Sequence, residues 1–423
     1  MTSPILLIVG LVLSTATQLR WGESPVGPGE LLLALWMLDA GLRLVLQRGR
    51  VSLNTPQLRP ITIFWICNWA LLIAGGFIGY RQNLLGTAKA GHDTLAFIFV
   101  TSFCLLVVLQ SEMGNPMRLT RNALVIVGAA SLLIIAAAYT RGRIGPVDLW
   151  FGERLTGWSE NPNQLVQLVV PMPFLSLYLA RRARSPEEQL LMLALLAIGL
   201  VVGLMIKSDA VVVGWTAGFT VAFLLGVINI SRLPAHDPAT VMALRAVFPL
   251  FILSVTGLLL AFVVDDLLRM YNTMVMERGQ GAVRFVLWMH GLEAMLLSPY
   301  TGFGPGAHSG LLGPLQGKEA HNSLLDWGTS TGFTGLLLLI TLLLVLFRPV
   351  WHSRSPALLG AFVALVVFIQ FDYSLRQPVF WFWLLIVPGL AYAAGPPRRV
   401  VWSGSAALPE VNRQVSTTDS VSR

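Results

Sequence analysis

The chain is poor in charge. Asp, Glu, Lys and Arg make up 12% of its 423 residues, about half the share in an ordinary soluble domain. So few ionised groups cannot keep the remaining surface in water, which excludes a soluble globular protein. Lysine is scarcest, with only Lys89, Lys207 and Lys318, so the net charge of +8 rests on arginine. The arginines are scattered through short segments and form no basic patch, which argues against a nucleic-acid partner. The two cysteines, Cys67 and Cys104, both lie inside apolar runs, where a disulfide framework is not expected. The first apolar run, 4–19, has no charged segment before it and no clear cleavage site after it. We read it as a span and not as a removed signal peptide.

What is present is apolar chain in span-sized pieces. Hydrophobic residues make up 55% and the mean hydropathy is +0.70. A helix rising about 1.5 Å per residue needs roughly 20 apolar residues to cross about 30 Å of hydrocarbon. Such runs fall near 4–19, 26–46, 61–80, 95–111, 122–140, 163–180, 187–206, 210–230, 246–264, 323–347, 356–371 and 378–395. Thirteen tryptophans suit a protein with two membrane–water interfaces to anchor. The reading is an all-α polytopic membrane protein of about twelve transmembrane helices. Residues 1–395 form the membrane domain. Residues 396–423, with few large apolar side chains, form a tail expected to be disordered.

Charge then orients the spans. Alternate connections carry Arg43, Arg48, Arg50 and Arg59; Arg118 and Arg121; Arg181, Arg182 and Arg184; Arg232 and Arg245; Arg348 and Arg354; and Arg398 and Arg399. The intervening connections are mixed in sign. They hold Glu23, Glu30, Asp93, Asp148, Glu153, Glu160, Asp265, Asp266, Glu277, Glu319 and all three lysines. The positive-inside rule makes the first set cytoplasmic, with both termini. A connection of some 55 residues, about 265–322, then falls on the outer side, which for a bacterial inner membrane is the periplasm. Its length alone marks it for attention. Residues 284–297 read as a helix lying along the interface. After it, Ser298-Pro-Tyr-Thr-Gly-Phe-Gly-Pro-Gly306 requires a tight irregular backbone. It is no dinucleotide fingerprint, since no strand precedes it. Asp265 and Asp266 are read as solvated acids, and no metal is expected.

Several segments carry a resemblance. Arg284-x-x-x-Trp288 is followed by Pro299-x-x-Gly302-x-Gly304-Pro305-Gly306, then by His321-Asn322-x-x-Leu325 with Gly332 and Gly335. Upstream stands Arg154-Leu-Thr-Gly157-x-x-x-Asn161-Pro162-Asn163-Gln164. In this order and on one expected face, over roughly 150–335, these segments resemble the bacterial O-antigen ligase and O-antigen polymerase superfamily. The resemblance implies a metal-independent, inverting glycosyltransferase without a cofactor. The implied donor is an oligosaccharide on undecaprenyl pyrophosphate, and the acceptor is a glycan or lipid A-core. The chain departs from the family at Lys207-Ser208-Asp209, where Ser-Arg followed by small residues is usual. Lysine keeps the charge but lacks the planar fork.

That chemistry needs cations for a leaving pyrophosphate and a base for an acceptor hydroxyl. Arg284, Arg154 and Lys207 supply cations on the expected outer side, as do Arg141 and Arg143. His321 suits the base by type. Asp372 and Arg376, between the last two spans, could orient a histidine or a substrate. Asn161, Asn163 and Asn322 could bind sugar, and Gly304 and Gly306 could let backbone approach sugar or phosphate. Each has a plainer reading. Arg284 could anchor an interfacial helix, His321 could be a satisfied boundary residue, Lys207 could pair with Asp209, Asp372 could pair with Arg376, and the glycines could be a turn. Three functions compete: a polymerase lengthening a lipid-linked glycan, a ligase capping lipid A-core, and a transporter. We favour the polymerase narrowly, as nothing in the sequence points to a lipid A acceptor. A transporter is less favoured, because no repeated halves are visible and Asp39 and Arg43 are nearly the only charges inside the expected spans.

Overall fold

The structure is a computed structural model that describes residues 2–21, 26–46, 56–113, 115–231, 257, 280–313, 315 and 317–394. The expected span at 246–264 (Gly257 apart), the acids Asp265, Asp266 and Glu277, and the tail 396–423 lie outside the described residues, as do Glu23, Arg48, Arg50, Arg232 and Arg245. The described chain is mostly helical. Helices α1 (Thr2–Ser14), α2 (Pro28–Leu46), α3 (Leu58–Arg81), α4 (Thr87–Met113) and α5 (Pro116–Thr140) come first. They are followed by α6 (Pro162–Val169), α7 (Met172–Ala180), α8 (Pro186–Ile206) and α9 (Asp209–Ser231). The last four are α10 (Gln280–Leu297), α11 (Ser323–His352), α12 (Pro356–Phe368) and α13 (Pro378–Ala393).

Among the described residues, seven helices are long and apolar enough to cross a membrane: α3, α4, α5, the α6–α7 pair, α8, α9 and α11. The other expected spans differ for simple reasons. The apolar parts of α1, α12 and α13 are too short to count by length. At 13 and 16 residues, α12 and α13 reach only about 20 and 24 Å. Almost every residue of α13 is buried, so it lies inside the bundle and need not face lipid. Helix α2 carries Glu30, Asp39 and Arg43, which lower its mean hydropathy. The expected all-α chain also contains two short antiparallel hairpins, Arg143–Ile144 (β1) with Val147–Asp148 (β2) and Trp150–Phe151 (β3) with Arg154–Leu155 (β4). Strands of two residues leave no periodicity to read.

A repeated device sets several helix starts. Asn115-Pro116, Asn161-Pro162, Ser185-Pro186 and Ser355-Pro356 each place a capping side chain before a proline in the first turn. The cap oxygens accept from the amides of Arg118, Asn163, Glu188 and Leu358. Proline loses nothing there, because its missing N–H has no partner within the helix. The core is aromatic where the long helices meet. Trp327 of α11 stacks on Phe64 of α3 with centroids 6.1 Å apart, and Phe97 of α4 meets it edge-on at 5.3 Å. Trp65 and Trp381 lie 5.3 Å apart beside them.

Helix α11 is broken at Gly332, whose φ of 69° and ψ of −176° are non-helical. The break leaves carbonyls without helical partners, and the 298–306 segment takes them. Phe303 N donates to Thr329 O at 3.0 Å and Gly304 N to Ser330 O at 2.9 Å. In return Phe333 N donates to Pro299 O at 2.7 Å. Irregular backbone in an apolar bundle must find such partners. Gly304, at φ +85°, lies so close to α3 that a Cβ would sit 2.2 Å from Gly76 N. Helix α10 leads into this segment and exposes Phe285, Met289, Leu292 and Leu296. That one apolar face suits a helix at the interface, as its sequence suggests.

Candidate functional site

The site is built around α6, the start of the deeply buried central pair. Asn161 caps its first turn, its Oδ1 accepting from Asn163 N at 2.9 Å. Asn163 is buried and its Oδ1 accepts from Ser208 Oγ at 2.8 Å, which fastens α6 to the Lys207–Asp209 corner between α8 and α9. Lys207 closes α8 in a left-handed conformation, φ +49°. Its ammonium pairs with exposed Glu153 at 2.7 Å, not with Asp209 as the sequence allows. That lysine holds the Glu153 carboxyl below its usual range.

Arg154 sits in β4 of the second hairpin, and its Nε donates to Ile206 O at 3.3 Å. Burial lowers its proton affinity below that of free arginine; Asp209 raises it, and the like charge of Arg284 lowers it further. Arg154 thus lies within electrostatic reach of both Asp209 and Arg284, although 130 residues separate the two arginines. With two guanidinium groups and one carboxylate contributing there, positive charge is in excess around Arg154. Further along the same face of α6, four residues and about 6 Å beyond Asn163, Gln167 donates to Asp372 Oδ2 at 3.0 Å. Ser374 Oγ donates to the same oxygen at 2.8 Å. Burial pushes the Asp372 carboxyl above its ordinary range, while Ser374, the charge of nearby His321 and Gln167 pull it back.

His321 therefore lies within electrostatic reach of Asp372. Its backbone is left-handed at φ +53°, a conformation a non-glycine residue adopts only when its surroundings impose it. Both flanks are tied. Asn322 caps α11, accepting from Leu324 N at 3.1 Å and Leu325 N at 3.3 Å. Ser323 N donates to Ile369 O at 2.8 Å and its hydroxyl to Asp372 O at 2.7 Å. Before the histidine, Ala320 N donates to buried Asp326 at 3.1 Å, as does Ser309 N at 2.9 Å. Arg376 binds Glu319 and Asp93. Burial works against the charge on Arg376, but those carboxylates outweigh it and hold the guanidinium above its usual value. The sequence suggests a pair between Asp372 and Arg376, whereas the fold gives each other partners.

The two glycines approach chain. A Cβ on Gly304 would strike α3, and one on Gly306 would come within 2.8 Å of Ala90 N of α4. Gln167, Asp326, Ser323, Ser374, His308 and Asp93 were not singled out from sequence. Asp93 is expected in an outer connection, yet α4 begins eight residues before the expected span at 95, which carries this carboxylate inside a candidate membrane helix. Only its buried partners, far off in the chain, reveal it.

Part of the chain is similar to a known family. Residues 192–340 match the family model described as O-antigen ligase, a stretch that holds Lys207, Arg284, Gly304, Gly306, His321 and Asn322. The match supports the O-antigen ligase and polymerase superfamily, whose members are enzymes. With seven apolar membrane-length helices among the described residues, the chain is a membrane protein that carries a stretch similar to that superfamily. No curated protein matches the chain.

Proposed function

We propose that the chain is an inverting glycosyltransferase at the periplasmic face of a bacterial inner membrane. It moves an oligosaccharide from undecaprenyl pyrophosphate to an acceptor sugar, without a metal. The observation that carries this reading is the linkage of two unlike clusters to one short helix. The arginine pair reaches α6 through Asp209, Ser208 and Asn163, and the His321–Asp372 pair reaches it through Gln167.

The roles follow from charge. Arg154 and Arg284 receive the pyrophosphate, as planar guanidinium groups bind phosphate oxygens in pairs. The acceptor hydroxyl attacks the anomeric carbon from the face opposite the pyrophosphate. A carbon–oxygen bond forms to the acceptor, the bond to pyrophosphate breaks, and the electron pair leaves with the phosphate oxygen. His321 takes the hydroxyl proton, and Asp372 stabilises the imidazolium that results. Asn161 and Asn163 hold the turn between the clusters. Lys207 adds charge at the rim in place of the family's arginine, and Gly304 and Gly306 serve by letting the 298–306 segment close against α3 and α4.

The acceptor defines two readings. As a polymerase the chain lengthens a second lipid-linked glycan; as a ligase it caps lipid A-core, and the family match fits both equally. Purified protein in lipid, given the lipid-linked oligosaccharide alone, separates them. A ladder of longer lipid-linked glycans lost in His321→Ala and Arg284→Ala identifies the polymerase. Transfer only after lipid A-core is added identifies the ligase. Transport of lipid-linked glycan across the bilayer without bond formation would sink both.

A further inference from the structure

The least explained cluster lies beside His321 and centres on Asp93. This carboxylate of α4 is almost wholly buried, although its helix is one of the candidate spans. It meets Arg376 Nη1 at 2.5 Å, His92 Nδ1 at 3.1 Å and His308 Nε2 at 3.2 Å, and accepts from Gly306 N at 3.1 Å. The second terminal nitrogen of Arg376 grips Glu319. The guanidinium also lies over the Tyr373 ring, 4.6 Å from its centroid. One arginine, from the connection between α12 and α13, thereby ties α4 to a residue two places before His321.

Stability alone does not call for this arrangement. Buried ion pairs are commonly no better for folding than apolar residues of the same volume, because desolvation offsets their attraction. What such a pair does supply is direction. A planar guanidinium with a carboxylate on each arm fixes both at set positions. The residue that needs fixing is close by, since His321 stands in a left-handed conformation and its ring must be held toward Asp372. After it, the chain is held by the Asn322 cap and Ser323. Before it, the ties are Ala320 to Asp326 and Glu319 to Arg376.

We propose that Asp93 and Arg376 form a buried charge clamp that grips Glu319 and so sets His321 against Asp372, which makes both of them positioning residues for the transfer step. The proposal rests on the reading of His321 as the base. A base displaced by about 1 Å loses on the order of a hundredfold in rate while substrate binding elsewhere is untouched.

The test uses the purified full-length chain in lipid, with lipid-linked oligosaccharide extracted from cells that make it as donor and the acceptor that supports its turnover. Glu319→Gln is the main variant, because Glu319 is at the partly exposed end of the clamp, so the isosteric change spares the buried end. We expect kcat to fall about 10- to 100-fold with the donor KM within about twofold. Arg376→Lys should retain more activity than Arg376→Gln. The double variant Arg376→Gln/Glu319→Gln should be no worse than the poorer single variant, as for two parts of one device. Amide exchange should rise at 320–322 and stay unchanged in α4. An unaltered kcat, a rise in KM alone, additive losses, or failure of Glu319→Gln to fold would each overturn the clamp. His321→Ala is the separate control. If it transfers normally the base reading falls, whereas an inactive His321→Ala beside an unaffected Glu319→Gln removes only the clamp.

Discussion

The two ends of the proposed site are built on opposite plans. Around Arg154 and Arg284, like charges face one another, with Asp209 as the opposing carboxylate and a backbone carbonyl as the hydrogen-bond partner of Arg154. Around His321, the flanking groups are tied at short range: Asn322 to two amides, Asp326 to two others, Ser323 and Ser374 to Asp372, and Arg376 to two carboxylates. The difference teaches what each end is for. Excess positive charge at the first end raises its electrostatic affinity for an anion, so ligand binding relieves the repulsion there. The second end, if it is the catalytic one as proposed, has its flanking groups tied before substrate arrives.

Substitutions should separate the two plans by which kinetic constant moves. The largest effect is expected for His321→Ala, which should lower kcat by about 10²- to 10⁴-fold with donor affinity nearly kept, as read by titrating the lipid-linked donor. If KM moves and kcat does not, His321 belongs to the binding end. Next come Arg284→Ala and Arg154→Ala, each expected to lose about 10²- to 10³-fold in kcat/KM. Lysine at either position should recover only part of this, since it lacks the fork, and a loss that added salt does not shrink would speak against a pyrophosphate there.

Asp372→Asn should show a smaller activity loss, roughly tenfold or more, together with an unusual stability effect. Burial holds this carboxyl above its ordinary range. A group whose pKa is raised on folding stabilises the protein below its unfolded value of about 4, and that contribution is lost as pH climbs through the folded value. At neutral pH the charged form weighs against the fold. Asp372→Asn should therefore melt at the same temperature or higher between pH 6 and 8, each pH to be measured against wild type; a clear drop would make Asp372 a structural residue. The smallest change is expected for Lys207→Ala, within about threefold in kcat/KM. Its ion pair with Glu153 is open to water, where such contacts contribute little. A loss as large as that of Arg284→Ala would place Lys207 among the phosphate-binding groups.

The residue types of the chemistry are visible in the amino-acid order, and so is the apolar length of the spans. Arg284, His321 and the Asn161–Gln164 turn stand out because their neighbours are punctuated by glycine, proline and capping residues. Asp93 does not stand out, since an acid near a helix start looks like any solvated residue until its partners are known. Gln167 is hidden for the same reason, as one amide inside an apolar run. The glycines at 304 and 306 are legible as places of close approach, but not what approaches them. Their local sequence is the same whether the neighbour is a phosphate or the backbone of α3 and α4.

By itself, the sequence determined the solvent of this protein and the periods of its helices. Low charge and long apolar runs leave no other medium, and caps with proline set where helices begin. Only the tertiary structure decided which groups act together. It broke α11 at Gly332 so that the 298–306 segment could take its free carbonyls, placed Arg154 beside Arg284, and brought Gln167 to Asp372 and Asp93 to Arg376. Such pairings join residues tens to hundreds of positions apart. Their energy comes from desolvation and charge at short range, a quantity that depends on distance in space and leaves no period in the chain.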